Sequence, residues 1–294
     1  MSVAETTTVP EPPSTAVSAG SRKRLVSTRL LRSEIRLIGG RRRNQMGLLV
    51  LATVPIVLAI SVKLSSRSSG GGPDFLDSIT SNGLFVPLAA LTVEMGIFLP
   101  LAISTLAGDA IAGEANLGTL RYLLTVPVSR TRLLAVKFAS LCIGALWGVA
   151  TVALAGAIIG IALFGTGPLT TLSGSQLDFG AALGRVLLVV VYLSACIAAL
   201  GAVGLFISTL TEQPIAATIA LMIFTILSWI LDAVPQLEWL HPWLIVHEWL
   251  SFSDLLRDPP FWDNVLRGLG VDAAYAAVFW LLAWARFSGK DVTS

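Results

Sequence analysis

An all-α polytopic membrane protein with six transmembrane helices is the fold class this sequence predicts, on three observations. Only 13% of the 294 residues are charged and 54% are apolar, whereas a soluble domain carries about 25% charged residues to cover its surface. The apolar residues gather into runs close to the ~20 residues that a helix needs to cross a bilayer, and the mean hydropathy is +0.79. The basic residues are also unevenly placed, because fifteen of the twenty Lys and Arg fall in segments that six spans would leave on one side.

Residues 1–21 carry Pro10, Pro12 and Pro13 among Ser, Thr and Ala. They hold too little apolar surface to offset the entropy of ordering, so a disordered cytoplasmic tail is expected. The first long apolar run begins at Met46, which predicts a retained first span rather than a cleaved signal peptide. Residues 22–45 predict an amphipathic basic helix. At about 100° per residue, Arg22, Arg29, Arg32 and Arg36 share one arc, and Val26, Leu30, Leu31, Ile35, Leu37 and Ile38 lie opposite. Such a helix suits the lipid headgroup layer or the face of a protein partner. Glu34 breaks the pattern by falling in the middle of the apolar arc.

Residues 46–287 predict the six-span domain, with spans at Gly47–Leu64, Leu84–Leu106, Leu133–Phe164, Ala181–Ile207, Ile215–Leu231 and Leu266–Trp284. Nine basic residues precede the first span, four more (Arg121, Arg130, Arg132, Lys137) lie in the second connection, and Arg286 and Lys290 follow the last. The opposite side holds only Lys63, Arg67, Arg185, Arg257 and Arg267. Basic residues stay cytoplasmic, so both termini, including the tail 288–294, are expected inside the cell membrane. Pro55, Pro87 and Pro100 predict kinks. The pairs Gly144/Gly148, Gly156/Gly160 and Gly180/Gly184 have small-xxx-small spacing, which places the third span inside the bundle. Cys142 and Cys196 lie in apolar runs without a CxxC, so neither a disulfide nor a metal site is expected from them.

Segment 108–132 is too polar to span and too regular to be slack. Leu117, Leu120, Leu123 and Leu124 recur at helical spacing, Pro127 ends the pattern, and Ser129 is placed to cap the next helix. A short amphipathic helix parallel to the membrane is expected.

In this segment Asp109, Glu114, Gly118, Thr119, Leu120, Leu124, Pro127, Ser129, Arg130 and Lys137 match the signature of ABC type-2 export permeases, which the sequence resembles over residues 25–294. The ending Arg286-Phe287-Ser288-Gly289-Lys290-Asp291 is similar to that family's usual close. The resemblance implies a membrane permease subunit that works with two cytoplasmic ABC ATPases and a second permease copy or homologue. It makes segment 108–132 the ATPase-coupling element, with Asp109, Glu114, Gly118, Thr119, Leu120, Arg121, Pro127, Ser129 and Arg130 as its residues. Arg121, Arg130 and Arg132 are placed to meet acidic groups on the ATPase or anionic lipid. In that family, re-entrant helices before the last span form part of an outer gate.

No catalytic residue, cofactor or nucleic-acid partner is expected in this chain. The sequence lacks G-x-x-x-x-G-K-[ST], so ATP and Mg are assigned to the partner subunit, and His247-Glu248 does not extend to H-E-x-x-H. Ser173-Gly174-Ser175 has no nearby base. Glu94 and Asp272 lie inside spans, where an unpaired charge costs at least about 2.5 kcal/mol. They are candidates for the substrate path, against the plainer reading of hydrogen-bonded acids that only orient helices. Residues 232–263 hold Trp239, Trp243, Trp249 and Trp262 together with Pro235, Pro242, Pro259 and Pro260. An outer interfacial or re-entrant segment of short helices is expected there. A proton-coupled secondary transporter using Glu94 and Asp272, and a non-transporting membrane scaffold, are the alternatives to an exporter.

Overall fold

The computed structural model describes residues 29–68, 82–118 and 129–289. Among the described residues, eight α-helices longer than one turn carry the fold: α1 Arg29–Gly40, α2 Arg42–Ser68, α3 Phe85–Gly96, α4 Phe98–Gly108, α5 Arg130–Phe164, α6 Phe179–Leu210, α7 Pro214–Asp232 and α8 Asp263–Ser288. A two-stranded antiparallel hairpin, β1 Leu169–Thr170 with β2 Gln176–Leu177, interrupts the all-α pattern between α5 and α6. It turns at Gly174, whose φ of +81° favours glycine. This hairpin corrects the purely helical expectation.

Helix boundaries follow local chemistry. Ser129 caps α5 by accepting from the Arg132 amide, as its position predicted. Asp178 caps α6 by accepting from Gly180 N–H, and Pro214 opens α7, where a missing amide costs nothing. Five helices (α2, α5, α6, α7 and α8) are each long and apolar enough to cross a membrane. The pair α3–α4 makes a sixth if its 56° bend lies within one span.

That bend accounts for one of the three predicted kinks. Pro100 lies four residues past Gly96, so it cannot donate to the Gly96 carbonyl and its ring crowds that group; the helix breaks at Ile97 (φ −142°, ψ −51°). Pro87 instead falls in the first turn of α3, where no donor is required, and α2 continues through Pro55.

The central helix is α6. Within the most apolar stretch of each helix, 72% of α6 is buried, against 33% of α5 and 17% of α8. It packs against α4, α5, α7 and α8. The third span, α5, packs against α1, α2, α3, α4, α6 and α8 but is less buried than α6. Its glycines serve close contacts: a Cβ at Gly156 or Gly160 would strike the backbone of Pro87 or Gly83, so α3 lies directly against α5, and a Cβ at Gly144 would strike Leu106 of α4. Leu49, Leu64, Leu154, Ile158, Val191 and Ile215 are each at least 60% exposed, an apolar outer surface that suits hydrocarbon.

Candidate functional site

Of the residues that the sequence singled out between positions 108 and 137, the described Asp109, Glu114, Arg130 and Lys137 lie at one end of the bundle. After Gly108, α4 widens into a π turn over Asp109–Gly113 and closes with one turn at Glu114–Asn116. A π turn leaves backbone donors without their usual carbonyls, and Ser208 of α6 takes up two of them. Its Oγ accepts from Ile111 N–H at 3.1 Å and Ala112 N–H at 2.9 Å and donates to Gly108 O at 3.0 Å. The hydroxyl is fully buried, so it fixes the exit of α4 to the central helix.

Charge fixes the same exit to three other elements. Asp109 accepts from Arg41 at 2.8 Å and pairs with Arg43, at the corner between α1 and α2. Asn44 and Gln45 shape that corner by donating to the Ile38 and Gly39 carbonyls, each at 2.9 Å, which satisfies the end of α1. Lys137 of α5 lies between two carboxylates, Glu34 of α1 at 3.0 Å and Glu114 at 3.1 Å. Among the described residues, three acids thus face three bases. Lys137 and Glu34 are both buried, and each compensates a charge that alone would be costly there. Arg130 adds a further joint by donating to the Phe287 and Ser288 carbonyls at 3.1 and 2.8 Å, where a cation suits the C-terminal end of α8.

These contacts revise one expectation. Glu34 does not spoil the apolar face of α1, because that face packs on α5 and Lys137 lies beneath it. Arg32 and Arg36 occupy the exposed face, and Gly39 lies against the Trp147 ring, so α1 docks on its own chain. Among the described residues nothing lies within 4 Å of where a Cβ on Gly118 would stand, and its φ of +67° is what calls for glycine. Leu117 and Gly118 form a turn rather than the start of a helix. Thr119, Leu120, Arg121, Leu123, Leu124, Pro127 and Arg22 lie outside the described residues.

The two acids proposed for a substrate path are not brought together. Glu94 is fully buried in α3, two residues before its end, and neither carboxyl oxygen has a hydrogen-bond partner. Asp272 is buried on α8 with Cys196 of α6 as its neighbour. An apolar cavity of about 70 Å³ lies between α1, α2, α4, α5 and α6, and neither acid lines it.

Between α7 and α8 the chain forms short 3-10 helices at Pro235–Leu237, His241–Trp243 and Trp249–Leu256. Trp239, Trp243 and Trp262 are exposed, in keeping with an interfacial belt. Trp249 is not part of that belt: it is fully buried and meets Trp229 edge-on at 5.9 Å. The sequence reading overlooked Asp232, His241 and His247, whose side chains cluster here. The signal was present, because the chain's two histidines lie six residues apart just after an aspartate.

Residues 52–293 match a family described as a protein of unknown function (DUF2705), and the chain belongs to that family. No curated protein matches the sequence.

Proposed function

We propose that this DUF2705 protein is the six-span permease subunit of an ATP-driven exporter, with both termini in the cytoplasm and with ATP hydrolysed by two partner subunits. A second permease copy or homologue completes the substrate path. The observation that carries this reading is the bracing of the Asp109–Glu114 exit by Arg41, Arg43, Glu34, Lys137 and Ser208. A coupling element must pass a rigid-body displacement from a soluble partner into the spans, and an element joined to four helices does so where a slack loop would absorb it. The braced residues are the ones that resemble the export-permease signature, and the basic residues gathered around them favour the cytoplasmic side.

One observation favours a second reading. The unpartnered oxygens of Glu94 inside a bent span suit a proton carrier, as in a secondary transporter. Reconstitution of the tagged chain into liposomes, with the ATPase that accompanies it, separates the two. Solute movement that requires ATP and stops with vanadate supports the exporter. Movement driven by a proton gradient without ATP, and lost in Glu94→Gln, replaces it with the second reading. A bound ATPase without any solute movement leaves a scaffold.

A further inference from the structure

At the end of the bundle away from the Asp109 network, the only two histidines of the chain meet the last residue of α7. The first turns of α7 lie against α4 near Gly108, with Thr218 Oγ1 donating to Ser104 O at 3.3 Å. Asp232 closes a helix of 19 residues, roughly 28 Å further along at 1.5 Å per residue. The chain then folds back through turns held by backbone bonds from Leu237 N–H to Val234 O, Leu240 N–H to Leu237 O and Trp243 N–H to Leu240 O. It returns His247 to within 2.6 Å of Asp232, Nδ1 to Oδ1.

The hydrogen bonds assign the tautomers. His241 Nε2 lies 3.1 Å from the Val234 carbonyl, which only accepts, so Nε2 carries the proton and Nδ1 keeps its lone pair. The Asp232 carboxylate likewise takes Nδ1–H of His247 and leaves the lone pair on Nε2. An imidazole whose second N–H is held by a carbonyl or carboxylate is the arrangement of metal-ligating histidines, and it fixes ring orientation as well as tautomer. The rings lie 5.6 Å apart at 37°, and a ligand-type atom from each of Asp232, His241 and His247 lies within 4.8 Å of the others. Buried Val246 and Trp249 flank His247, while its own side chain is 33% exposed, so the position is fixed yet open to solution.

We propose that His241 and His247 bind one divalent transition-metal ion of the Zn²⁺ class, with Asp232 orienting His247 and offsetting charge, and water completing the shell. Two imidazoles select Zn²⁺, Cu²⁺ or Ni²⁺ over Mg²⁺ and Ca²⁺, which prefer oxygen. The site stands on this chain's own residues and does not depend on the transport reading.

The test is calorimetric titration of the chelator-treated full chain, purified in detergent, with ZnCl₂ and separately with MgCl₂. One equivalent of zinc and no magnesium should bind. His241→Gln and His247→Gln should each weaken zinc binding at least about 10-fold, and Asp232→Asn by about 10- to 100-fold, the usual range for loss of an orienting partner. Co²⁺ in place of zinc should give d–d absorption without a thiolate charge-transfer band, which excludes Cys142 and Cys196 as ligands. Absence of zinc binding in the unaltered chain overturns the proposal, as does binding undiminished in the double histidine variant. Lowered melting temperatures in the variants, with no zinc bound by the unaltered chain, would make the cluster a hydrogen-bonded clasp only and equally overturn it.

Discussion

At one end of the bundle Lys137 and Asp109 tie α1, α2, α4 and α5 together through side-chain charge, whereas at the other the chain from Asp232 to Leu256 is held mainly by buried Val246, Trp249 and Phe252 and by short backbone turns, beside the Asp232–His247 pair. The first kind of joint connects residues distant in sequence, such as Glu34 and Lys137, 103 positions apart. The second is mostly local. A charge joint fails abruptly, because removing one partner leaves the other buried and uncompensated. An apolar anchor fails in proportion to the volume lost. The end proposed to receive force is therefore the one in which several helices stay in fixed register through a few specific pairs.

The sharpest way to break this contrast is Lys137→Met, which strands the buried Glu34, takes a partner from Glu114 and should cost about 3–5 kcal/mol, the usual loss when a buried pair loses one member. Thermal unfolding of the detergent-purified chain measures it. Adding Glu34→Leu and Glu114→Gln should restore most of the loss; a triple variant no better than the single would show that charge pairing is not what holds this end. Trp249→Ala at the opposite end removes a fully buried indole and should cost a comparable 3–5 kcal/mol or about that. No change of charge elsewhere should rescue it.

Ser208→Ala sharpens the picture of the π turn. It strips two buried amides of their acceptor, for about 1–3 kcal/mol, and hydrogen exchange at Ile111 and Ala112 should accelerate more than exchange elsewhere in α4. Uniform exchange would separate Ser208 from the turn. Arg43→Gln is the smallest change. The side chain is 56% exposed and Asp109 keeps Arg41, so the shift should stay below about 1 kcal/mol and fade with added salt.

Much of this division was legible in the sequence. Six apolar runs overlap α2, the α3–α4 pair, α5, α6, α7 and α8 because lipid imposes length and composition directly on a spanning helix. Ser129 stood out because capping acts over a few residues, and Asp109, Glu114 and Lys137 because they match the export-permease signature. What stayed hidden depended on distance in the chain. Glu34 read as an error in an amphipathic pattern, since its partner lies on α5; Ser208 sat unremarked in an apolar run because the π turn it serves begins 99 residues earlier at Asp109. The break at Ile97 was within reach, as Pro100 acts four residues back on Gly96. His241, His247 and Asp232 form no fixed metal-binding motif in the sequence and cluster only because the chain doubles back.

The central claim, that the Asp109–Gly118 exit delivers the work of an ATPase to the bundle, is tested most directly at Gly118, whose φ of +67° admits glycine or asparagine but strains a β-branched residue, and whose Cβ would touch no described atom. The measurement is vanadate-sensitive ATP hydrolysis in the tagged chain purified from its native membrane, compared among the unaltered protein, Gly118→Asn and Gly118→Val at equal membrane levels. Hydrolysis should accompany the unaltered chain and Gly118→Asn and fall to background in Gly118→Val. Hydrolysis absent from the unaltered chain, or undiminished in Gly118→Val, would contradict the account.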